Sequence, residues 1–514
     1  MKTFFMRHKS LLAFPIVALL LLVTGFGLSN SLQQIHAQGS SSPSQQISQD
    51  PFTNSTSQHK TQVEPGTFSF GSTVVSSFQS GRFYAGGGAS GISWATSFDA
   101  GHTWKTGTLP GLTTYTGGSY ARVGDSVVAY DVAHHTWLIA SVPATTQFEG
   151  TTGTTSIVVS RSIDGLNWSK PVVIAAPSAT QQFDKDWIVC DEHPTSRFFG
   201  RCYAQWDDAA STPWKIMMSY STDGGLTWSA PASPANQTFS AQGGQPVVQP
   251  NGNVIVPIYG FDSAGVESIY SYRSTDGGAS WTDLVKVDPF TYSTTVSQFY
   301  RGGSLPSAQI DQAGKVYLVW AGCYFETNCG TSNFTTDDIV LTTTTDGLTW
   351  TPLQRIPLDP IGSGFEHLTA GIAVDSNTAG SHAHLAVTYY YWPNAGCTAS
   401  TCQIYAGLAT STNGGATWSP YVTLGGPMSA TWWANTDQGY MTGDYITTTI
   451  TLNHALTVVP LATAPNGQTL NQSMYAASVS LAGGSLPCDT LNTTVAHAQV
   501  AQKSGATKMR YRAN

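Results

Sequence analysis

Charged residues are scarce in this sequence. Only 10% of the 514 residues are Asp, Glu, Lys or Arg, and 30 acidic residues outnumber 22 basic ones, for a formal net charge of −8. Helical proteins carry many charged side chains on their exposed faces, so this composition disfavours a helical fold. No basic run is present, which argues against nucleic acid and anionic membranes as partners. Thr, Val, Tyr and Trp are plentiful instead, and they favour strands.

Cysteine is also sparse, and its spacing does not suit a metal cluster. The seven cysteines include no CxxC pair, which argues against a zinc cluster. In an oxidising compartment, neighbouring cysteines predict three local disulfides and leave Cys488 over. The predicted pairs are Cys190–Cys202, Cys323–Cys329 and Cys397–Cys402.

Long apolar runs are absent except near the N-terminus. The uncharged stretch 11–28 follows a positive segment that contains Lys2, Arg7 and Lys9, and Ala37 ends an acceptable cleavage site. This pattern predicts a signal peptide over 1–37 and a secreted protein. An uncleaved anchor is the alternative, because about 18 residues lie near the lower limit for a membrane span. Residues 38–60 are rich in Ser, Gln and Thr, which predicts a flexible linker.

A short motif recurs six times at spacings of 53 to 70 residues. It reads Ser or Thr, any residue, Asp or Asn, then a Gly-rich turn and Trp. The Asp side chain can accept hydrogen bonds from backbone N–H groups, glycine supplies positive φ, and Trp fills space over the hairpin. The Asp and Asn residues of the motif are therefore predicted to be structural and not catalytic. They are Asp99, Asp164, Asp223, Asp276, Asp346 and Asn413.

This motif resembles the Asp box of the sialidase-like β-propeller superfamily, and the resemblance covers roughly residues 61–485. It implies an all-β fold, a single propeller of four-stranded blades with each box between the third and fourth strands. Counting units predicts seven blades; six, the usual number in sialidases, is the alternative. The last unit, 437–483, has no box, and we expect its fourth strand to come from around Gln62–Glu64. Residues 486–514 are expected to form a C-terminal tail.

Polar residues recur where the first strand of each unit begins. In a propeller these positions face the central funnel, where a ligand or substrate would bind. The alternative interpretation is a water-filled channel whose polar groups pair with one another. Candidate catalytic residues are Asp125, Asp186, Glu366, Asp444 and Tyr445, and candidate ligand-binding residues are Arg122, Lys185, Gln245 and Arg301.

Aromatic residues follow the second strand of several units. Their flat faces suit the apolar face of a sugar ring, although Trp and Tyr also fill propeller cores. Trp206, Trp320 and Trp392 are the candidates for sugar stacking.

Sialidases hold the substrate carboxylate with three arginines and use a Tyr nucleophile assisted by Glu, with Asp as acid/base. Only Arg122 and Arg301 occupy funnel positions here, and Arg355, in an Arg-Ile-Pro motif, falls on an outer strand. The sequence therefore predicts an inefficient sialidase, and glycan or surface-polymer recognition by a secreted monomer is the leading hypothesis. A sialidase-type glycoside hydrolase that uses funnel carboxylates is the alternative. No cofactor is expected, apart from a structural Ca²⁺ that funnel aspartates could bind.

Overall fold

The computed structural model describes residues 40–41, 44–146, 154–289, 299–301, 305–330, 336–481, 486–487 and 489–490. Within these ranges the chain is all-β, as predicted. The helical segments there are single 3₁₀ turns, none of which could span a membrane: Thr114–Thr116, Gly380–His382 and Ala430–Trp432. The predicted signal peptide, Cys488 and most of the predicted tail lie outside the described residues.

Antiparallel strands follow one another in seven groups over the described ranges, and we call these groups sheets 1 to 7. Sheet 1 contains Gln62–Phe70, Thr73–Arg82, Ala89–Ser97 and Lys105–Thr108. Sheet 2 contains Arg122–Asp131, Thr136–Ala144, Ile157–Ser162 and Val172–Ala175. Sheet 3 contains Phe183–Cys190, Cys202–Asp208 and Lys215–Ser221. In sheet 4, Ser240–Gln242 and Val247–Val248 both pair with Val254–Phe261 and together take the place of the first strand; Glu267–Ser274 and Val285–Pro289 follow as the third and fourth strands.

The remaining sheets repeat this order. Sheet 5 contains Ser307–Ile310, Val316–Gly322, Asp338–Thr344 and Gln354–Arg355. Sheet 6 contains Glu366–Val374, Leu385–Trp392, Gln403–Ser411 and Val422–Ser429. Sheet 7 contains Thr448–Thr451, His454–Ala462, Gln472–Ser480 and Gln45–Gln46. Short additional strands are Ser40–Ser41, Tyr300–Arg301, Thr417–Trp418, Ala434–Thr436, Gly439–Met441, Leu486–Pro487 and Asp489–Thr490.

The first strands of the sheets contact one another in chain order, and the first strand of sheet 7 contacts that of sheet 1. A cyclic succession of antiparallel sheets is the arrangement of a propeller, in which the first strands surround the centre. The described residues thus contain seven such groups of antiparallel strands, of which the first two are joined by the pairing of Ala89 with Val123. Whether the whole chain has seven blades or six stays a prediction.

The N-terminal segment corrects two sequence predictions. Gln62–Phe70 is the first strand of sheet 1 and not the last strand of sheet 7. Gln45–Gln46 pairs with sheet 7 instead, and the Ile47 N–H donates to the Met474 carbonyl at 2.9 Å. The segment expected to be a flexible linker is therefore partly built into the fold. Burial of Ile47 and these backbone bonds outweigh its Ser- and Gln-rich composition.

The repeated motif closes the turn after the third strand in six of the sheets. In sheet 3, the Ser221 hydroxyl donates to Asp223 Oδ1 at 2.8 Å, and the Leu226 and Thr227 N–H groups donate to the same oxygen at 3.0 and 2.9 Å. The equivalent bonds recur at Asp99, Asp164, Asp276, Asp346 and Asn413. The carboxylate or amide oxygens of these residues therefore accept hydrogen bonds within the turn.

Four of the motif turns also receive side-chain hydrogen bonds from the preceding sheet. Arg201 Nη1 donates to the Gly277 carbonyl at 2.6 Å, and Arg273 Nη1 donates to the Asp346 carbonyl at 2.7 Å. Charged donors to a carbonyl make stronger bonds than neutral ones. These arginines therefore join neighbouring sheets at the face that carries the motif turns.

Asp223→Ala should lower the free energy of unfolding by about 1–3 kcal/mol, because three donors lose their common acceptor. Urea denaturation measures the change. The control is Asp283→Ala, whose exposed carboxylate accepts from Asn236 at 2.8 Å outside the turn. Equal stability of the two variants would contradict a structural role for the motif.

The three predicted disulfides are confirmed. Their Cα–Cα distances are 3.9, 5.3 and 4.9 Å for Cys190–Cys202, Cys323–Cys329 and Cys397–Cys402, below the limit of about 7 Å for a bridge. The first joins directly paired residues of sheet 3. The other two close short loops between the second and third strands of sheets 5 and 6.

Candidate functional site

Four first strands share a bulge near their beginning. The pairing register shifts there, and the residues at the bulge have left-handed backbone angles: φ is 57° at Glu64, 37° at Asp125, 37° at Lys185 and 50° at Thr369. Residues other than glycine adopt this backbone conformation at an energetic cost. Such strain persists where the surrounding structure holds it, and it concentrates at functional sites. The candidate functional site is therefore the region around these bulges, where the first strands of the sheets contact one another.

Charged residues from sheets 1, 2 and 3, from the strand that contains Arg301 and from the segment that leads into sheet 7 meet near these bulges, and we call this group the central cluster. Its Arg301 Nη2 contacts Asp444 Oδ2 at 2.8 Å, and Lys185 Nζ lies 3.8 Å from Asp125 Oδ1. The Asp444 N–H donates to Glu64 Oε1 at 3.1 Å. All members are at most 6% exposed: Glu64, Arg82, Asp125, Lys185, Arg301 and Asp444.

Burial shifts the pKa values of two members of the central cluster, Glu64 and Arg82. It raises the pKa of Glu64 well above its ordinary value, and the charges of Asp444 and Asp125 raise it further, against the opposing effect of Arg301 and Arg82. Burial and the neighbouring Arg301 lower the pKa of Arg82 to about 10. The raised pKa favours the protonated form of Glu64, which lies beside two guanidinium groups.

Lys185 and Tyr445 contact each other at the side of the cluster. Lys185 Nζ lies 3.8 Å from the centre of the Tyr445 ring. The Tyr445 hydroxyl accepts from the Ser126 N–H at 2.7 Å and donates to the Ser126 carbonyl at 3.0 Å, and burial raises its pKa well above 10. This environment disfavours the phenolate that a Tyr nucleophile would need, which argues against the predicted catalytic role of Tyr445.

Two other predicted carboxylates are placed differently from the cluster pairs. Asp186 is fully buried, and its oxygens have no hydrogen-bond partner among the described residues; burial raises its pKa well above the ordinary value. Glu366 lies beside Asp337, and burial, the charge of Asp337 and a hydrogen bond between the two side chains raise its pKa. The structure therefore pairs Glu366 with Asp337 and not with Asp125 or Asp444.

Arg122 is held by a loop of sheet 1. Its Nη1 donates to the carbonyls of Ala85, Gly86 and Gly87 at 2.9, 2.9 and 2.7 Å, and its guanidinium lies 4.3 Å from the centre of the Phe83 ring. Because these contacts hold Arg122 against the loop, it does not form the predicted pair with Arg301. Arg82 supplies the second guanidinium of the cluster instead.

Sequence analysis overlooked Glu64 and Arg82. A signal for Glu64 was present: it follows the buried Val63 at the start of a first strand, much as Asp125 and Lys185 follow Val123 and Phe183. No comparable signal marked Arg82, which lies at the end of a second strand.

The predicted stacking residues are inaccessible. Trp206, Trp320 and Trp392 are each 0% exposed, and Trp206 and Trp392 pack edge-on against Phe183 and Tyr300. Their side chains fill the spaces between strands, as in the alternative interpretation. The prediction that these three indoles form a sugar-stacking surface is therefore wrong.

A small cavity lies beside the central cluster. Lys185, Tyr445, Trp187, Gln245 and Ser307 are among its lining residues. The Gln245 side chain already bonds both the N–H and the carbonyl of Ala308, at 3.1 and 3.0 Å. The cavity has room for about one water molecule.

The chain resembles sialidases in fold. A Hadza microbial sialidase matches with a TM-score of 0.44 and 14% identity, over 76% of this chain and 73% of that one. The NanB sialidase from Streptococcus pneumoniae matches with a TM-score of 0.43 and 14% identity, over 85% and 70%. An ulvan lyase, described as a polysaccharide lyase, has a TM-score of 0.46 and 10% identity, over 86% and 97%. No family model and no curated protein matches the sequence.

Stability should fall as pH rises from about 4 to about 8. Burial raises the pKa of Asp50 to about 6 and that of Asp288 to about 7, so the folded state binds more protons than the unfolded state in this range. Asp99 acts oppositely, because hydrogen bonds from Thr103 lower its pKa, but its contribution is lost only below about pH 4. Thermal unfolding at pH 5 and pH 8 tests this. A higher melting temperature at pH 8 would contradict it.

Proposed function

We propose that this protein is a secreted enzyme that cleaves a glycosidic bond in an anionic glycan at the central cluster. The observation that supports this is a buried Glu64, whose pKa is raised, beside two guanidinium groups and two ion-paired carboxylates. Glycosidases commonly combine a carboxylic acid whose pKa is raised with a second, ionised carboxylate. The three disulfides support export to an oxidising compartment.

The arginines would bind the acidic group of the sugar. Arg301 is paired with Asp444, so an incoming carboxylate or sulfate would exchange with Asp444 on the guanidinium. In this exchange the charge of Arg301 would stay balanced by an anion, and the Asp444 carboxylate would be released. Glu64 would then protonate the leaving oxygen, and Asp444 or Asp125 would act as base or nucleophile.

Glycan recognition without cleavage is the second candidate. The small cavity and the closed ion pairs favour it, because a site that opens only partly could hold an acidic substituent without admitting the scissile bond. Binding by a monomer, and the absence of nucleic-acid or membrane partners, stay predictions from the sequence.

The test is a substrate screen with the purified secreted chain. Acidic polysaccharides and fluorogenic glycosides of uronic and sialic acids are incubated with the protein, and new reducing ends or fluorophore are measured. Binding of the same polysaccharides is followed by calorimetry. The control variant is Arg197→Ala, whose guanidinium donates to the Thr275 carbonyl in a motif turn; it should retain full activity.

Cleavage of acidic but not neutral glycans supports hydrolysis at the cluster. Binding without cleavage supports the second candidate and overturns the enzymatic proposal. Equal turnover of neutral substrates would exclude the role given to the arginines.

A further inference from the structure

A second buried polar group lies between sheets 5 and 6. Asp338 begins the third strand of sheet 5, Asp359 follows its fourth strand, and His367 belongs to the first strand of sheet 6. One ligand atom from each of the three lies within 4.8 Å of the others. Three separate segments thus bring carboxylate and imidazole donors to one place.

The imidazole is oriented as in a metal ligand. His367 Nδ1 lies 3.0 Å from the Asp337 carbonyl, and a carbonyl can only accept, so Nδ1 carries the proton. Nε2 is then an acceptor, and it faces Asp359 Oδ1 at 3.7 Å. A hydrogen bond from the other ring nitrogen to a backbone carbonyl is the usual support of a metal-binding histidine.

An unsatisfied carboxylate oxygen provides an independent observation. Asp338 is 2% exposed, and its Oδ2 has no hydrogen-bond partner among the described residues. Its other oxygen contacts Arg355 Nε at 2.7 Å, and Arg355 Nη2 contacts Asp359 Oδ1 at 2.7 Å. One guanidinium therefore neutralises only one of the two carboxylates, and a buried acceptor remains unpaired.

We propose that Asp338, Asp359 and His367 bind a divalent transition-metal ion, with zinc as the best match to two carboxylates and one imidazole. Imidazole favours zinc over calcium or magnesium. Ligand atoms of a tetrahedral zinc site lie about 3.4 Å apart. The three donors lie within 4.8 Å of one another, so they need to approach by up to about 1.4 Å. Arg355 would remain on the Oδ1 atoms and orient the carboxylates from outside.

The ion would tie sheet 5 to sheet 6 beside the buried Glu366–Asp337 pair. Asp359 also accepts a hydrogen bond from Ser363, in the segment that leads from one sheet to the next. Metal binding should therefore stabilise this connection, independently of any activity at the central cluster.

The test uses the full secreted chain after dialysis against a chelator. Zinc titration by calorimetry and elemental analysis should show one Zn²⁺ per chain, and zinc should raise the melting temperature. Co²⁺ should give visible absorption bands. His367→Gln and Asp359→Asn should weaken zinc binding at least about 10-fold.

His384→Gln is the matched control. His384 also faces an aspartate, Asp375, at 3.7 Å, but it is not part of the three-ligand group, so its replacement should leave zinc binding unchanged. Asp338→Asn covers the case in which His367→Gln does not fold, because the amide keeps the shape of the carboxyl group. The proposal is overturned if the wild-type chain binds no metal, if zinc affinity survives in the folded ligand variants, or if His384→Gln abolishes binding.

Discussion

Glu64→Gln should reduce glycan cleavage at least about 100-fold while the protein stays folded. The amide has the shape of the protonated acid but cannot donate an acidic proton, and general acid catalysis contributes about 10²–10⁴-fold. Fold retention is expected because burial already favours the uncharged side chain. The adjacent Gln79 can present either end of its amide to residue 64, since its Nε2 contacts Glu64 and its Oε1 has no other partner among the described residues.

The measurement is kcat and kcat/KM on the best acidic substrate, beside circular dichroism and a melting curve. Glu192→Gln is a suitable control, because burial also raises the pKa of Glu192, to about 8, outside the central cluster. A Glu64→Gln enzyme with normal kcat would exclude Glu64 as the general acid. Normal affinity for the glycan with lost turnover would agree with the proposed role.

Arg301→Ala should lower the free energy of unfolding by about 3–5 kcal/mol, because it leaves the buried Asp444 carboxylate without its counter-ion. Adding Asp444→Asn should recover a large part of that loss, since the remaining group is then neutral. Denaturation of the two single variants and the double variant forms a double-mutant cycle. Additive losses would show that the pair does not interact in the folded protein.

The same cycle bears on ligand binding. If an anionic sugar exchanges with Asp444 on Arg301, Asp444→Asn should retain or improve affinity for an acidic glycan, whereas Arg301→Ala should abolish it. Ordinary loss of packing would weaken binding in both variants alike. The opposite signs expected for the two substitutions therefore separate recognition from stability.

Local interactions explain why much of the fold was predictable. A motif turn such as that around Asp223 depends on residues within four positions of the aspartate, and the disulfides join cysteines 5 to 12 residues apart. Strand order followed from these turns. The pairing of Gln45–Gln46 was missed because its partner, sheet 7, lies more than 400 residues away along the chain.

The sequence by itself determined the all-β class, the six motif turns, the three disulfides and the scarcity of charge that made central polar residues conspicuous. The tertiary structure alone decided which charges meet. Glu64 and Arg82 belong to the central cluster. Glu366 instead lies beside Asp337, and Arg122 binds carbonyls of a loop in sheet 1. It also decided that Trp206, Trp320 and Trp392 face the core. The physical reason is that a turn is specified by neighbouring residues, whereas burial and charge pairing depend on bulges and on contacts between distant strands.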